Sequence, residues 1–136
     1  MLAADTFFDT NVLLYLLSKD AAKAYRAEEL IANGGILSVQ VLNEFAAVAS
    51  RKLSMSWVEI RDVLSPIRAV CEITPVTVTT HDRAIQIAEH YGFSFYDATI
   101  IASALEAGCK ILYSEDLQDG QIIARQLKIR NPFASL

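Results

Sequence analysis

Short apolar runs alternate along the chain with longer segments whose apolar residues recur every three or four positions. Runs of the first kind predict β-strands, and segments of the second kind predict amphipathic helices. Alternation of the two indicates an α/β domain: a short, mostly parallel sheet flanked by helices. The predicted strands are residues 6–8, 36–38, 70–73, 111–113 and 127–129.

Capping residues set the limits of the predicted helices. Asp20 is placed to cap a helix that ends at residues 33–35, and Ser56 opens another helix in a capping box with Glu59. Pro66 is expected to end or kink that helix. The other predicted helices are residues 12–17, capped by Thr10 or Asn11, residues 39–52, residues 81–91, capped by Thr80 and closed by Gly92, and a last one from about Tyr96 to Gly108.

Length and composition fit one ordinary domain over residues 1–136. The hydrophobic fraction of 53% is enough to fill a core without disulfides. Cys71 and Cys109 are far apart in apolar surroundings, which predicts two buried thiols in a reducing compartment. The longest apolar run, residues 12–17, is too short to span a bilayer. We therefore expect a soluble, cytoplasmic protein that does not bind a membrane.

Four acidic residues stand at positions where they could converge. Asp9 and Asp116 follow candidate strands, at the sheet edge where α/β proteins bind their ligands. Glu44 lies inside an apolar helical segment, where a carboxylate is costly unless it is paired or bound to a metal. Asp97 lies at a predicted helix start in an otherwise apolar context, where the helix dipole favours the ionised carboxylate.

Each of these acids alone has a simpler interpretation. Asp9 and Asp97 could cap helices, while Glu44 could reach water from the edge of its helix. Asp116 could be a solvated loop residue, and Glu115 and Asp119 are its rivals for a functional role. The combination is more informative, because close carboxylates without basic partners repel one another by roughly 1 to 4 kcal/mol per pair.

A divalent cation would remove that repulsion. Oxygen ligands select Mg²⁺ or Mn²⁺ rather than zinc, and such ions activate water for attack on a phosphoryl group. The formal net charge of −4 is unusual for a nucleic-acid-binding protein, but the four acids account for all of it. The sequence thus predicts a metal-dependent nuclease.

The basic and aromatic residues are less informative. Phe93, Phe95 and Tyr96 are expected in the core rather than on a base-stacking surface. Six basic residues could contact phosphates, although scattered solubilising charge is the simpler interpretation: Lys19, Lys23, Arg26, Arg51, Lys52 and Arg83.

Four segments resemble the acidic motifs of PIN domains in order and spacing. Residues 9–17, DTNVLLYLL, resemble the opening motif, and residues 38–45, SVQVLNEF, resemble the second. Residues 96–104, YDATIIASA, resemble the third motif, and residues 111–120, ILYSEDLQDG, resemble the fourth. Together they span nearly the whole chain, so the combination is specific although each motif alone is not.

The chain's small size and its ending, with Asn131-Pro132-Phe133, look most like VapC-type toxins of toxin–antitoxin pairs. That resemblance implies a Mg²⁺- or Mn²⁺-dependent endoribonuclease with a five-stranded parallel sheet, frequent homodimerisation and inhibition by a cognate antitoxin. It also implies an acidic quartet, supported by three polar residues. The quartet is Asp9, Glu44, Asp97 and Asp116, and the supporting residues are Thr10, Asn11 and Ser114.

Other functions are compatible with parts of the pattern. A catalytically silent PIN domain would serve as a protein-interaction module, and a DNA-directed nuclease would use the same acids. A receiver domain needs a Lys after a late strand, where this chain has Ser114-Glu115-Asp116. A phosphatase of the haloacid dehalogenase type needs a second Asp two residues after the first, where this chain has Asn11.

Overall fold

A six-stranded sheet in the order β3-β2-β1-β4-β6-β5 organises the part of the chain that the structure, a computed structural model, describes, which is residues 5–136. The strands are β1 Thr6–Phe8, β2 Gly35–Ser38, β3 Cys71–Thr74, β4 Ile111–Tyr113, β5 Ile122–Ile123 and β6 Leu127–Arg130. The helices are α1 Thr10–Leu14, which continues as a 3-10 turn over Tyr15–Leu17, α2 Ala21–Ala32, α3 Val39–Lys52, α4 Trp57–Val70, α5 Val78–Tyr91 and α6 Phe95–Glu106.

Five of these strands run parallel, as predicted. The central strand β1 pairs with β2 and with β4, so that Phe7 lies between Ile36 and Leu112. The carboxyl ends of β1, β2 and β4 consequently meet at one edge of the sheet. The remaining strand, β5, lies at the edge of the sheet and was not predicted. It pairs antiparallel with β6 through Ile122 and Ile123.

The core lies on both faces of the sheet. Phe7, Phe8 and Leu112 are fully buried, and residues 98–105 of α6 are all buried as well. A helix that is apolar all round is surrounded by other elements, and α6 packs against both α5 and strand β2. Gly35 permits the close approach of β2 to β1, because a Cβ there would meet the ring of Phe8 at 2.6 Å.

Several predicted helix limits are confirmed. Residues 39–52 form α3, Asp20 caps α2, and Ser56 and Glu59 form the capping box of α4. Gly92 ends α5 in the left-handed conformation, with φ of 80°.

Three helices have other caps than the residues first expected, and of the two outcomes expected at Pro66, an end of the helix does not occur. Asp9 itself caps α1, and Thr77 caps α5, with Thr80 as the third helical residue of a capping box. Ser94 caps α6, so Asp97 lies in the first turn rather than at the cap. Pro66 does not end α4: it lies on the exposed side of the helix, where water can satisfy the carbonyl left without a donor.

Some apolar residues are exposed where the pattern placed them inside. Phe95 and Tyr96, which were expected in the core, are 40% and 65% exposed and do not belong to it. Both cysteines are buried and neither forms a disulfide, in agreement with the prediction. Burial raises the pKa of each thiol to about 11. Within residues 5–136 no helix is long and apolar enough to cross a membrane.

Candidate functional site

The four predicted acids line one cavity at the carboxyl edge of the sheet. It has a volume of about 960 Å³, and its walls include Asp9, Glu44, Asp97 and Asp116. Asp9 lies at the end of β1, Glu44 on α3, Asp97 in the first turn of α6 and Asp116 in the loop after β4. The fold therefore brings together side chains that are spread over more than a hundred residues of sequence.

Asp9 is the most buried of the four, with 4% of its surface exposed. One carboxylate oxygen accepts a hydrogen bond of 2.7 Å from the backbone N–H of Thr10, and the other accepts one of 2.7 Å from the Ser114 hydroxyl. Burial raises the pKa of Asp9 to about 6; these hydrogen bonds oppose that rise, while the charges of Asp97 and Asp116 add to it. The negative charge of Asp9 is therefore energetically unfavourable in this site.

Ser114 and Asn11 connect Asp9 to the loop that carries Asp116. The Ser114 hydroxyl is fully buried and accepts hydrogen bonds from the backbone N–H groups of Asp116 and Leu117, at 3.2 and 3.3 Å. The Asn11 amide donates to Asp9 at 3.3 Å and to Asp116 at 3.2 Å, while its carbonyl oxygen accepts from the backbone of Glu115 at 3.1 Å. These bonds set the position of the loop relative to β1.

Glu44 is held by Thr10. The buried hydroxyl of Thr10 donates a hydrogen bond of 2.7 Å to Glu44 Oε1. Glu44 is half-buried, so it neither reaches open water freely nor packs into the core. The bond links α1 to α3 and directs this carboxylate into the cavity.

Asp97 and Asp116 are less enclosed. Asp97 is half-buried, and within residues 5–136 no group donates a hydrogen bond to its carboxylate; only its backbone N–H is engaged, by Ser94 Oγ at 3.2 Å. Asp116 is exposed and accepts from Asn11. Both carboxylates therefore keep free acceptor capacity toward the cavity.

The chemistry of these donors fits a hard divalent cation. The ion pairs formed by residues 5–136 are Lys23–Glu115, Arg26–Glu29 and Arg130–Asp119, so no cation neutralises the four acids. In the same part of the chain no group of three or more His, Cys, Asp or Glu side chains is arranged to hold an ion directly. Mg²⁺ commonly keeps several waters and binds through one or two carboxylates, so a cavity lined by separated acids suits such an ion.

The geometry also separates Asp116 from its two rivals. Glu115 turns away and accepts hydrogen bonds from the Tyr15 hydroxyl and from Lys23 Nζ, the latter at 3.5 Å. Asp119 pairs with Arg130 at 3.7 Å and lines a different cavity. Of the three acids in this segment, Asp116 alone lines the cavity that contains Asp9.

The cavity wall also contains Arg51, which the sequence offered only as one of six possible phosphate contacts, and Tyr96, which was expected in the core. Arg51 follows Glu44 by seven residues on α3, a spacing that returns to the same helix face. Tyr96 directly precedes Asp97, and the apolar residues around it in sequence are typical of a buried segment.

Fold and cavity together define an α/β protein with an acidic site at the carboxyl edge of a parallel sheet. The sequence model of the PIN domain matches residues 6–119, and the chain belongs to the PIN domain family. No curated protein sequence matches the chain.

Solved structures of several toxins share this fold. The VapC20 toxin of Mycobacterium tuberculosis, described as cleaving the sarcin–ricin loop, is 22% identical, with a TM-score of 0.68 over 82% of this chain and 89% of that one. A toxin–antitoxin complex from Klebsiella pneumoniae is 18% identical, with a TM-score of 0.71 over 94% and 98% of the two chains. VapBC2 from Rickettsia felis, bound to a promoter DNA fragment, is 18% identical, with a TM-score of 0.63 over 93% and 98%.

Proposed function

We propose that this protein is a Mg²⁺- or Mn²⁺-dependent endoribonuclease and the toxin of a toxin–antitoxin pair. The observation that carries the proposal is the single cavity lined by Asp9, Glu44, Asp97 and Asp116, with no cation paired to any of them among residues 5–136. Membership of the PIN domain family and the likeness to VapC20 support it. The RNA preference rests on that likeness, since no residue of the cavity distinguishes RNA from DNA.

In this proposal the four acids would bind the metal directly or through its waters, and the other polar residues position them. A bound ion would supply a Lewis acid able to polarise a phosphodiester and to activate water. Thr10 orients Glu44 through its 2.7 Å hydrogen bond. Ser114 and Asn11 fix Asp9 and the Asp116 loop, leaving the remaining carboxylate lone pairs toward the cavity.

Partners follow from the same proposal. An antitoxin could place an Arg against the unpaired carboxylates, forming charge-assisted hydrogen bonds. The toxin–antitoxin complexes from Klebsiella pneumoniae and Rickettsia felis, which share the fold, support such a partner. Exposed apolar side chains such as Trp57, Val58 and Val78 support a homodimer. We place the activity in the cytoplasm, where buried thiols without a disulfide are usual.

Cleavage of a fluorescently labelled single-stranded RNA by the purified protein tests the activity. We expect cleavage with Mg²⁺ or Mn²⁺, loss of cleavage in EDTA and recovery when metal is restored. Cleavage that persists in EDTA would contradict metal dependence. Cleavage of the matching single-stranded DNA, but not of the RNA, would support the DNA-directed alternative. A protein that cleaves neither would support the silent interaction module.

A further inference from the structure

Arg51 lines the acidic cavity. It is the one basic side chain, among the residues described, that contributes to the cavity wall. Two turns of α3 separate it from Glu44, or about 10 Å along the helix axis. Ala47 and Val48, which lie between them on the helix, also line the cavity. Arg51 forms no ion pair within residues 5–136, so its guanidinium is free to bind an anion.

Tyr96 lies in the same cavity wall, next to Asp97. Its side chain is 65% exposed, although the residue belongs to the first turn of the most buried helix. Its backbone carbonyl accepts a hydrogen bond of 3.4 Å from Gln40 Nε2 of α3, and its ring contacts that of Phe95 edge to face at 6.1 Å. The hydrogen bond fixes the backbone of Tyr96 relative to α3, and the ring packs against Phe95 with most of its surface accessible.

Neither feature is explained by the helix that carries it. A cation in the last turn of α3 is favoured by the helix dipole, but Lys52 already provides one and does not line the cavity. An exposed tyrosine is not unusual on its own, since Tyr25 of α2 is 68% exposed, but Tyr25 lies away from the cavity. Among the basic and aromatic residues that the structure describes, only Arg51 and Tyr96 line the cavity.

Together these residues match the chemistry of single-stranded RNA. Unpaired strands present phosphates and unstacked bases in alternation, and proteins bind them with cationic groups and aromatic rings. An acidic cavity repels phosphate except where metal or a basic side chain offsets its charge, and Arg51 provides that offset away from the proposed metal ligands.

We propose that Arg51 and Tyr96 bind the RNA strand in this cavity, here called the groove, outside the proposed metal site: Arg51 binds a backbone phosphate beside the scissile one, and Tyr96 stacks on an unpaired base. This inference rests on the proposed ribonuclease activity and names the part of the substrate that the protein recognises outside the metal site.

Kinetics of Arg51→Ala on a single-stranded RNA test the phosphate contact, with Lys52→Ala as the matched control. We expect Arg51→Ala to raise KM about tenfold with little change in kcat, as for the loss of one hydrogen bond to a charged group. The slope of log KM against log salt concentration should fall by about one, because one fewer phosphate is neutralised. Arg51→Lys should retain most of the salt slope. Equal KM values and slopes for Arg51→Ala and Lys52→Ala would overturn the contact.

The stacking contact is tested by Tyr96→Ala, Tyr96→Phe and the control Tyr25→Ala. We expect Tyr96→Ala to weaken RNA binding about tenfold and Tyr96→Phe to bind like the parent, since a ring is sufficient for stacking. An RNA series with a single abasic position should contain one member that parent and Tyr96→Ala bind equally. If Tyr96→Ala instead changes only the sedimentation behaviour, the ring contacts a second copy of the chain and the stacking is overturned.

The groove and the ribonuclease activity can be overturned separately. A parent protein that cleaves RNA, with all variants behaving like their controls, overturns the groove alone. A parent protein that neither binds nor cleaves RNA overturns the groove and the ribonuclease proposal together.

Discussion

The hydroxyl of Ser114 donates a hydrogen bond of 2.7 Å to the Asp9 carboxylate, across a separation of 105 residues in sequence. The two residues meet because β1 and β4 are parallel neighbours, with Phe8 in register with Tyr113. Asp9 and Ser114 therefore leave adjacent strand ends together. The same serine oxygen accepts hydrogen bonds from the backbone N–H groups of Asp116 and Leu117. One buried side chain therefore helps to position two of the four acids, Asp9 and Asp116.

Ser114→Ala should weaken both the fold and the metal site. The substitution leaves the Asp9 carboxylate without one donor and two backbone N–H groups without their acceptor. We expect a loss of about 1–3 kcal/mol in the free energy of unfolding and a 10- to 100-fold weaker affinity for Mn²⁺, as is typical when a ligand loses its support. Denaturant unfolding and Mn²⁺ titration measure the two effects. The exposed Ser65→Ala on α4 serves as the control, and equal Mn²⁺ affinity in both variants would contradict the role of Ser114.

The stability of the metal-free protein should fall as pH rises from about 4 to about 6. Burial raises the pKa of Asp9 from 3.8 to about 6, so in this window the folded protein binds a proton that the unfolded chain has released. The stabilisation from that proton is complete below the unfolded pKa and is lost once pH exceeds the folded pKa, a change of about 3 kcal/mol at most.

Unfolding in urea with EDTA, from pH 4 to pH 7, measures this effect against Asp9→Asn. The variant has no titrating group at this position, so the difference between the two pH profiles should have the predicted slope. Its absolute stability is not the test, because an Asn amide would face the Asn11 amide and the Ser114 hydroxyl. Parallel profiles would show that Asp9 titrates alike in the folded and unfolded states.

Asp97→Asn should abolish cleavage yet stabilise the metal-free protein. The Asp97 charge raises the pKa of Asp9 by repulsion, and no group among residues 5–136 donates a hydrogen bond to the Asp97 carboxylate. In EDTA at neutral pH the variant should melt above the parent. With saturating Mg²⁺ or Mn²⁺ the gap should narrow or reverse, because metal stabilises only the intact site well. The exposed Asp62→Asn on α4 is the control; a variant that melts lower than the parent, with or without metal, would argue against a shared site.

Thr10→Val should lower activity through Glu44. Valine preserves the shape of threonine but removes the hydroxyl that donates to Glu44 Oε1. We expect activity to fall about 10-fold or more, with recovery in Thr10→Ser, which restores the donor. RNA cleavage at several Mn²⁺ concentrations is the measurement, and higher metal should offset part of the loss. Equal activity of the Val and Ser variants would mean that the Glu44 orientation does not depend on this bond.

Asp116→Asn and Glu115→Gln should differ sharply in cleavage. Asp116 lines the cavity, whereas Glu115 pairs with Tyr15 and Lys23 outside it. We expect the Asp116 variant to lose cleavage and the Glu115 variant to retain most of it. The hydrogen bond to Glu115 raises the pKa of the Tyr15 hydroxyl, so spectrophotometric titration should report a lower tyrosine pKa in Glu115→Gln. Loss of cleavage in Glu115→Gln alone would show that Glu115, and not Asp116, is the fourth acid of the site.

Local sequence determined the elements whose ends carry their own signals. Both ends of α3 were predicted correctly at residues 39 and 52, because apolar residues at helical spacing begin and end within that segment. The capping box at Ser56 and Glu59 and the left-handed Gly92 depend on neighbours close in sequence. By contrast, Ile122–Ile123 has two residues and exists as a strand only through its pairing with β6, which no local pattern contains.

The candidate site divides in the same way. The order and residue types of Asp9, Glu44, Asp97 and Asp116 were available from the sequence, because a motif records which side chains are present. Only the tertiary structure decided that they line one cavity, that Asp116 faces it while Glu115 turns to Lys23, and that Arg51 and Tyr96 lie beside it. Adjacent side chains in this loop point in different directions according to the hydrogen bonds that tie it to residues distant in sequence, from Glu115 to Asn11 and from Ser114 to Asp9. Those bonds form only when the sheet assembles.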